Sequence, residues 1–166
     1  MRHEKSIDLL NKAVADELSA VHQYMYFHFH CDDQGYALLS NLFRKAAIDE
    51  MMHAEQLAER ILFLGGDVEM QVSESVDKIQ DVREMLEKAR SMEEAAVNDY
   101  NSWANICAEN ADSGTRRIFE DLTVDEEAHY EQYDDEIANL EKFGNSYLAL
   151  QSIEHSKSLS GGGGAE

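Results

Sequence analysis

Apolar residues return at spacings of three, four and seven along four long stretches of the chain, the period of helices that each bury one face. The first covers residues 6–30, with Leu10, Ala13, Ala20, Tyr24 and Phe27 on its stripe and Cys31 continuing it. After a turn at Asp32-Asp33-Gln34-Gly35, a second stretch, 36–64, places Leu39, Leu42, Phe43, Ala46, Leu57, Ile61 and Leu64 inward, and Gly65-Gly66 stops it. The third, 79–109, carries Val82, Leu86, Ala89, Ala96, Tyr100, Trp103 and Cys107. The fourth, 115–143, carries Ile118, Phe119, Leu122, Tyr133, Ile137 and Leu140 after a turn at residues 110–114.

Residues 67–78 lack this period and must be a connection. A helix of about 28 residues is roughly 42 Å long, and about 14 extended residues reach roughly 46 Å, so the segment can run the length of a bundle. The pattern therefore predicts an all-α fold, a four-helix bundle with a long crossover between helices 2 and 3. Gly144 is a C-cap candidate, and Tyr147, Leu148, Leu150 and Ile153 mark a short fifth C-terminal helix that packs away from the bundle axis. One domain is expected over residues 1–156, with 157–166, including four consecutive glycines, as a disordered tail.

Polar residues interrupt the apolar stripes at matching places. Glu17 and Glu93 sit alone within theirs, and each precedes a Glu-x-x-His motif by 33 residues: Glu50 with His53, and Glu126 with His129. The two halves are related by an offset of 76, which also places Ala20, Val21, Tyr24 and Cys31 on Ala96, Val97, Tyr100 and Cys107. A Glu and a His three residues apart share a helix face, and a carboxylate on a buried face is costly unless it is paired or bound to metal. One inward Glu or His is ordinarily a satisfied core group; six at a repeated interval point to a metal site.

Four glutamates and two imidazoles suit a pair of divalent ions such as Fe(II) or Mn(II), since structural zinc favours thiolates or a closed set of four ligands. Glu17 with His53 and Glu93 with His129 are assigned to one ion each, with Glu50 and Glu126 bridging. Tyr24 and Tyr100, seven residues after the lone Glu of each half, are either hydrogen-bonded to the ligands or ordinary core aromatics.

Composition narrows the function further. Proline is absent, and 34 acidic against 14 basic side chains give a formal charge of −20. That balance argues against nucleic acid or an anionic membrane as a partner and favours cations. No apolar run reaches the length of a membrane span and no signal-like start is present, so a cytoplasmic protein is expected. Cys31 and Cys107 form no C-x-x-C pair and are read as small buried hydrophobes roughly 40 Å apart, too far for a disulfide. His3, His22, His28, His30 and His155 match no ligand spacing.

These residues, with Leu10-Asn11-Lys12, Gln23-Tyr24, Ile48-Asp49-Glu50-Met51, Glu59-Arg60-Ile61-Leu62-Phe63-Leu64 and Asn145-Ser146-Tyr147-Leu148, resemble the ferritin superfamily and, within it, the bacterioferritins. The resemblance runs from about Leu10 to Ile153. It implies a ferritin-like four-helix bundle in a hollow shell of 24 subunits that oxidises Fe(II) with O2 or peroxide at a di-iron centre inside each subunit. It also implies storage of the product as a ferric mineral and release through a reductant such as a small ferredoxin. Glu17, Glu50, His53, Glu93, Glu126 and His129 match the family's ferroxidase ligands, with Tyr24 beside them. Met51 matches the methionine that holds haem b between two-fold related subunits, and it points about 100° around the helix from Glu50. Some relatives place a His four residues before the Asp corresponding to Asp49 to make an inner-surface iron site; here that position is Lys45, which disfavours iron there.

Alternatives remain at this stage. A haem-free ferritin-like or rubrerythrin-like peroxide-detoxifying protein shares the di-iron motif, but a rubrerythrin usually adds a C-x-x-C module that is missing here. A twelve-subunit miniferritin places its metals between chains, whereas each half here supplies ligands within one chain. A shell that binds metal statically, or whose haem only relays electrons, would not accumulate mineral.

Overall fold

The computed structural model describes residues 3–161, and the stripes become five helices: α1 (Glu4–Asp33), α2 (Ala37–Phe63), α3 (Val82–Glu109), α4 (Ser113–Phe143) and α5 (Asn145–Gly161). α1 pairs with α2 and α3 with α4 as two hairpins, which pack together into the bundle. Three helix ends close in the same way. The amides of Tyr36, Gly66 and Asp112 each reach back to a carbonyl five residues earlier, on Cys31, Ile61 and Cys107, all at 2.9 Å. The residue before each amide takes a left-handed backbone conformation, at Gly35, Gly65 and Ala111. Ala111 does so without the freedom of glycine, so the α3–α4 turn carries some strain.

Segment 64–81 is the crossover, and it runs along α1. Asn11, Ser19 and Gln23 lie on one stripe of α1 and bind its backbone as a ladder. Asn11 donates to Asp67 O and accepts from Glu69 N, Ser19 Oγ accepts from Ser73 N and Glu74 N, and Gln23 pairs both ways with Asp77, all at 2.8–3.1 Å. These bonds satisfy backbone groups that have no sheet or helix to join. The third helix begins at Val82, three residues later than the stripe predicts, because Asp81 caps it by accepting from Glu84 N at 3.0 Å. Asp112 likewise caps α4 by accepting from Thr115 N, so that helix begins at Ser113, two residues before the expected start.

α5 turns across the end of the bundle where α1 meets α2. Its Gln151 is buried and accepts from Leu39 N, and Tyr147 donates to Glu136 of α4. Leu150, Ile153 and Leu159 remain exposed on it. The helix continues through Gly161 rather than giving way to a tail after residue 156, sustained by Lys157–Glu154 at 2.9 Å and by the Ser158 and Ser160 hydroxyls on carbonyls three residues back. The remaining tail residues, 162–166, lie outside the described residues.

The core has two apolar plugs. One gathers Phe27, Cys31, Phe43, Met85, Leu86, Tyr133 and Ile137; the other gathers Leu10, Val14, Leu57, Ile61, Cys107, Phe119 and Leu122. Cys31 and Cys107 are buried in different plugs and both are free thiols. Between the plugs lies a layer built from Glu17, Glu50, His53, Glu93, Glu126 and His129, every one of them buried.

Candidate metal centre

Each helix of the bundle brings its part of that layer to mid-height: Glu17 from α1, Glu50 and His53 from α2, Glu93 from α3, and Glu126 and His129 from α4. Two groups form, Glu17, Glu50, His53 and Glu126, and Glu50, Glu93, Glu126 and His129, with the donor atoms of each within 4.8 Å of one another. Glu50 and Glu126 belong to both. His53 Nδ1 stands 2.9 Å from Glu50 and 3.0 Å from Glu126, and His129 Nδ1 stands 3.0 Å from each of the same two carboxylates. Both rings thus turn Nδ1 inward, with centroids 6.1 Å apart.

The opposite edge of each ring meets an aspartate from the other hairpin. His53 Nε2 is 3.3 Å from Asp125 of α4, and His129 Nε2 is 3.2 Å from Asp49 of α2. Sequence reasoning passed over both aspartates as site residues, although each directly precedes its Glu and they share the offset of 76. The repeated unit is therefore Asp-Glu-x-x-His, with the Asp orienting the histidine of the opposite motif.

The tyrosines also cross between halves. Tyr24 donates to Glu93 and Tyr100 donates to Glu17, so each serves the lone glutamate of the other repeat. All three tyrosines near the layer, Tyr24, Tyr100 and Tyr133, have hydroxyl pKa values pushed well up by burial and by the surrounding carboxylates.

Without metal, the layer manages its charge through protons. Burial and the neighbouring Glu50 and Glu126 charges push Glu17 and Glu93 well above the carboxylate range. Burial would raise Glu50 too, but hydrogen bonds from His129 and His53 outweigh it and hold it at about 2. Burial opposes protonation of His129, yet Glu126 and Glu50 raise it to about 11, and Glu126, Glu17 and Glu50 raise His53 in the same direction. Each Nδ1 has one proton to share between Glu50 and Glu126, both of which it faces at 2.9–3.0 Å. Two buried carboxylates shared between both imidazoles, with a further glutamate beside each, are a donor set that divalent ions satisfy.

Access differs on the two sides of the layer. Lys45, Asp49, Met52, His53, Asp125 and His129 line an open pocket of about 560 Å³ against the α2–α4 face. Glu17, Tyr24, Glu50, Glu93, Tyr100 and Glu126 line a smaller one of about 160 Å³ on the α1–α3 face beneath the crossover. Met51 lies outside the layer, 52% exposed on α2 with Ile48 and Met52 also exposed beside it. No helix among the described residues is long and apolar enough to cross a membrane.

The ferritin-like domain family matches residues 7–143. The bacterioferritin of Desulfovibrio desulfuricans is 39% identical over 148 residues, 89% of this chain and 83% of that protein, and the bacterioferritin of Rhodobacter capsulatus is 35% identical over 88% and 91%. The solved Desulfovibrio desulfuricans bacterioferritin, studied for its diiron site in different catalytic states, superposes with a TM-score of 0.87 at 38% identity, covering 89% of this chain and 86% of that one. The Rhodobacter capsulatus bacterioferritin, solved with a metal-free dinuclear site and a heme iron in a crystallographic special position, gives 0.87 at 33% identity over 92% and 96%. With a buried carboxylate and histidine layer in a matching fold, and relatives at this identity over nearly its whole length, the chain belongs to the bacterioferritin family of ferritin-like proteins.

Proposed function

We propose that this protein is an iron-storage ferroxidase, and that the observation carrying the reading is the pair of overlapping buried donor groups in which Glu50 and Glu126 are shared between two inward-facing imidazoles. Glu17 and His53 would hold one Fe(II), Glu93 and His129 the other, with Glu50 and Glu126 shared. Iron bound there supplies electrons to O2 or peroxide, and Fe(III) then passes to mineral stored inside a shell of identical subunits. The chain's own part is to bind, orient and exclude water. Asp49 and Asp125 hold the rings with Nδ1 inward, Tyr24 and Tyr100 fix Glu93 and Glu17, and the two apolar plugs dry the layer from above and below.

The reading extends to a 24-subunit cytoplasmic shell, reduced for iron release by a partner such as a small ferredoxin. It includes haem b held at a two-fold contact through the Met51 thioether. The exposed apolar strip of Ile48, Met51 and Met52 supports the haem assignment, since a porphyrin face needs apolar cover from both subunits. Haem absorbance that survives Met51→Ala would remove that assignment.

Aerobic addition of excess Fe(II) to the metal-free protein tests the central activity. A fast rise in ferric absorbance, loss of that phase in Glu93→Ala, and hundreds of irons co-eluting with each assembled shell are expected. Equal rates in both proteins, or iron stopping near two per chain, would leave a static metal site in place of storage.

A further inference from the structure

The tyrosines around the layer do not repeat as its ligands do. By the offset of 76, Tyr24 falls on Tyr100 and Phe43 on Phe119, but the position related to Tyr133 is Leu57. Tyr24 and Phe43 pack with Tyr133, each with its ring centroid 5.7 Å from that ring. Tyr100 and Phe119 pack instead with Trp103, at 5.6 Å each. Leucine fills the matching place in the other half with hydrocarbon alone, whereas Tyr133 carries a hydroxyl into the core at 1% exposure. A buried hydroxyl is costly unless it is hydrogen-bonded, so its presence here asks for a reason.

Tyr24 supplies one. It commits its single proton to Glu93 and keeps lone pairs on its oxygen, while Tyr133 Oη has a proton to give and closes no hydrogen bond. The two hydroxyls are near enough to act on each other. Burial and Glu93 raise the Tyr24 pKa most and Tyr133 adds to them, while the Tyr24 hydroxyl offsets part of the rise that burial and the layer carboxylates impose on Tyr133. Tyr100, which donates to Glu17, has no such hydroxyl behind it, because Leu57 stands there.

We propose that Tyr133 is a positioning residue for the ion held by Glu93 and His129, acting through Tyr24: when Glu93 binds metal, Tyr133 donates to Tyr24 as Tyr24 donates to Glu93. The inference rests on the di-iron reading above and adds a difference between its two positions. A hydroxyl that accepts one hydrogen bond donates the next more strongly, so the chain of two phenols holds the Glu93 carboxylate more firmly than Tyr24 would alone. Tyr133 thus favours occupancy of the Glu93 position and leaves that of the Glu17 position unchanged.

Crystals of the assembled protein soaked anaerobically in a series of Co(II) concentrations, and read by anomalous diffraction at the cobalt edge, give the occupancy of each position separately. In Tyr133→Phe, half-occupancy beside Glu93 and His129 should need about ten-fold more Co(II) than in the parent, the low end of what a ligand's supporting hydrogen bond contributes. The position beside Glu17 and His53 should fill as before, and Tyr100→Phe should give the reverse pattern. In a Tyr24→Phe background, adding Tyr133→Phe should change nothing further. Tyr133→Phe removes one oxygen and keeps the ring, so the Tm of the metal-free variant should match or exceed the parent's. An unchanged occupancy in Tyr133→Phe, an equal loss at both positions, a full second loss in the Tyr24→Phe background, or a lower metal-free Tm each overturns the positioning role while the di-iron reading stands. Parent crystals that take up no Co(II) in the layer overturn both.

Discussion

Glu17 and Glu93 show what the site costs the metal-free protein. A carboxyl whose folded pKa is raised is ionised in the unfolded chain and not in the folded one, so it destabilises the fold at every pH above its unfolded value near 4.5. An amide has no such titration and can still accept from the tyrosine. Glu17→Gln is therefore expected to stabilise the metal-free protein at pH 7 by about 1 kcal/mol or more, with the gain shrinking as pH falls toward 4.5. Urea unfolding at pH 5 and pH 7.5 measures it, and a loss of stability in the variant would contradict the account. The same change should weaken metal uptake, the usual exchange of stability for function at a buried polar site.

The six layer residues were legible in the sequence because a polar residue in an apolar stripe is conspicuous and because the pattern occurs twice. The crossing of partners was not. Helical phase says that Tyr24 shares a face with Glu17, but in the bundle it reaches Glu93 on α3, and which neighbour a side chain meets is set by packing. Asp49 and Asp125 were missed for a related reason. They lie one residue off the buried face and are partly exposed, so the stripe gives them no weight, and only the position of the opposite histidine shows their use.

At the scale of elements, the join between the hairpins depends on Arg60. It donates to Thr115 Oγ1 at 3.0 Å and to Asp112 at 2.6 Å, tying the end of α2 to the start of α4. Gly114 sits against this guanidinium, and a Cβ there would lie 2.6 Å from Nη2 and 2.9 Å from Cζ. Gly114→Ala, though it adds helix propensity, should lower stability by about 1–3 kcal/mol, because the arginine cannot yield without breaking its bonds. Thermal unfolding reads this directly, and a rise in Tm would count against it.

Asp112 itself is pushed up by burial but pulled further down by Thr115, Ser6 and Arg60, to about 2. A depressed carboxylate stabilises the fold above its unfolded pKa of 3.8 and loses that contribution as pH falls toward 2. Asp112→Asn keeps a capping oxygen but not the charge, so it should be less stable than the parent at pH 6 by about 1–2 kcal/mol. The two proteins should converge near pH 2; a difference that stays constant across this range would contradict the assignment. The helix boundaries here were readable to within about three residues. The ladder of Asn11, Ser19 and Gln23 that guides the crossover was not, since polar residues off the apolar stripe look like solvated surface until an irregular segment lies against them.

For the whole molecule, a net charge of −20 and a core split by a polar layer predict that divalent metal adds to the stability of the fold. Ligands that bind the folded state alone stabilise it by mass action, about 2.7 kcal/mol for a free concentration of 100 times Kd. Loading with Co(II) should raise Tm by several degrees and release protons from His53 and His129, which hold them in the metal-free state. A weakly buffered titration follows the release, and binding without it would show that the imidazoles are not ligands. The exposed apolar residues of α5, Leu150, Ile153 and Leu159, belong to this scale too, as surface that a subunit on its own leaves uncovered.

The most direct measurement is anomalous diffraction at the iron edge from crystals of the protein soaked anaerobically in Fe(II). Two peaks per chain are predicted inside the carboxylate layer, about 3.5–4 Å apart. One should be next to Glu17 and His53 and the other next to Glu93 and His129, with Glu50 and Glu126 reaching both. A single peak, or peaks that avoid the layer while iron is demonstrably bound elsewhere, would contradict the di-iron centre and the ferroxidase built on it.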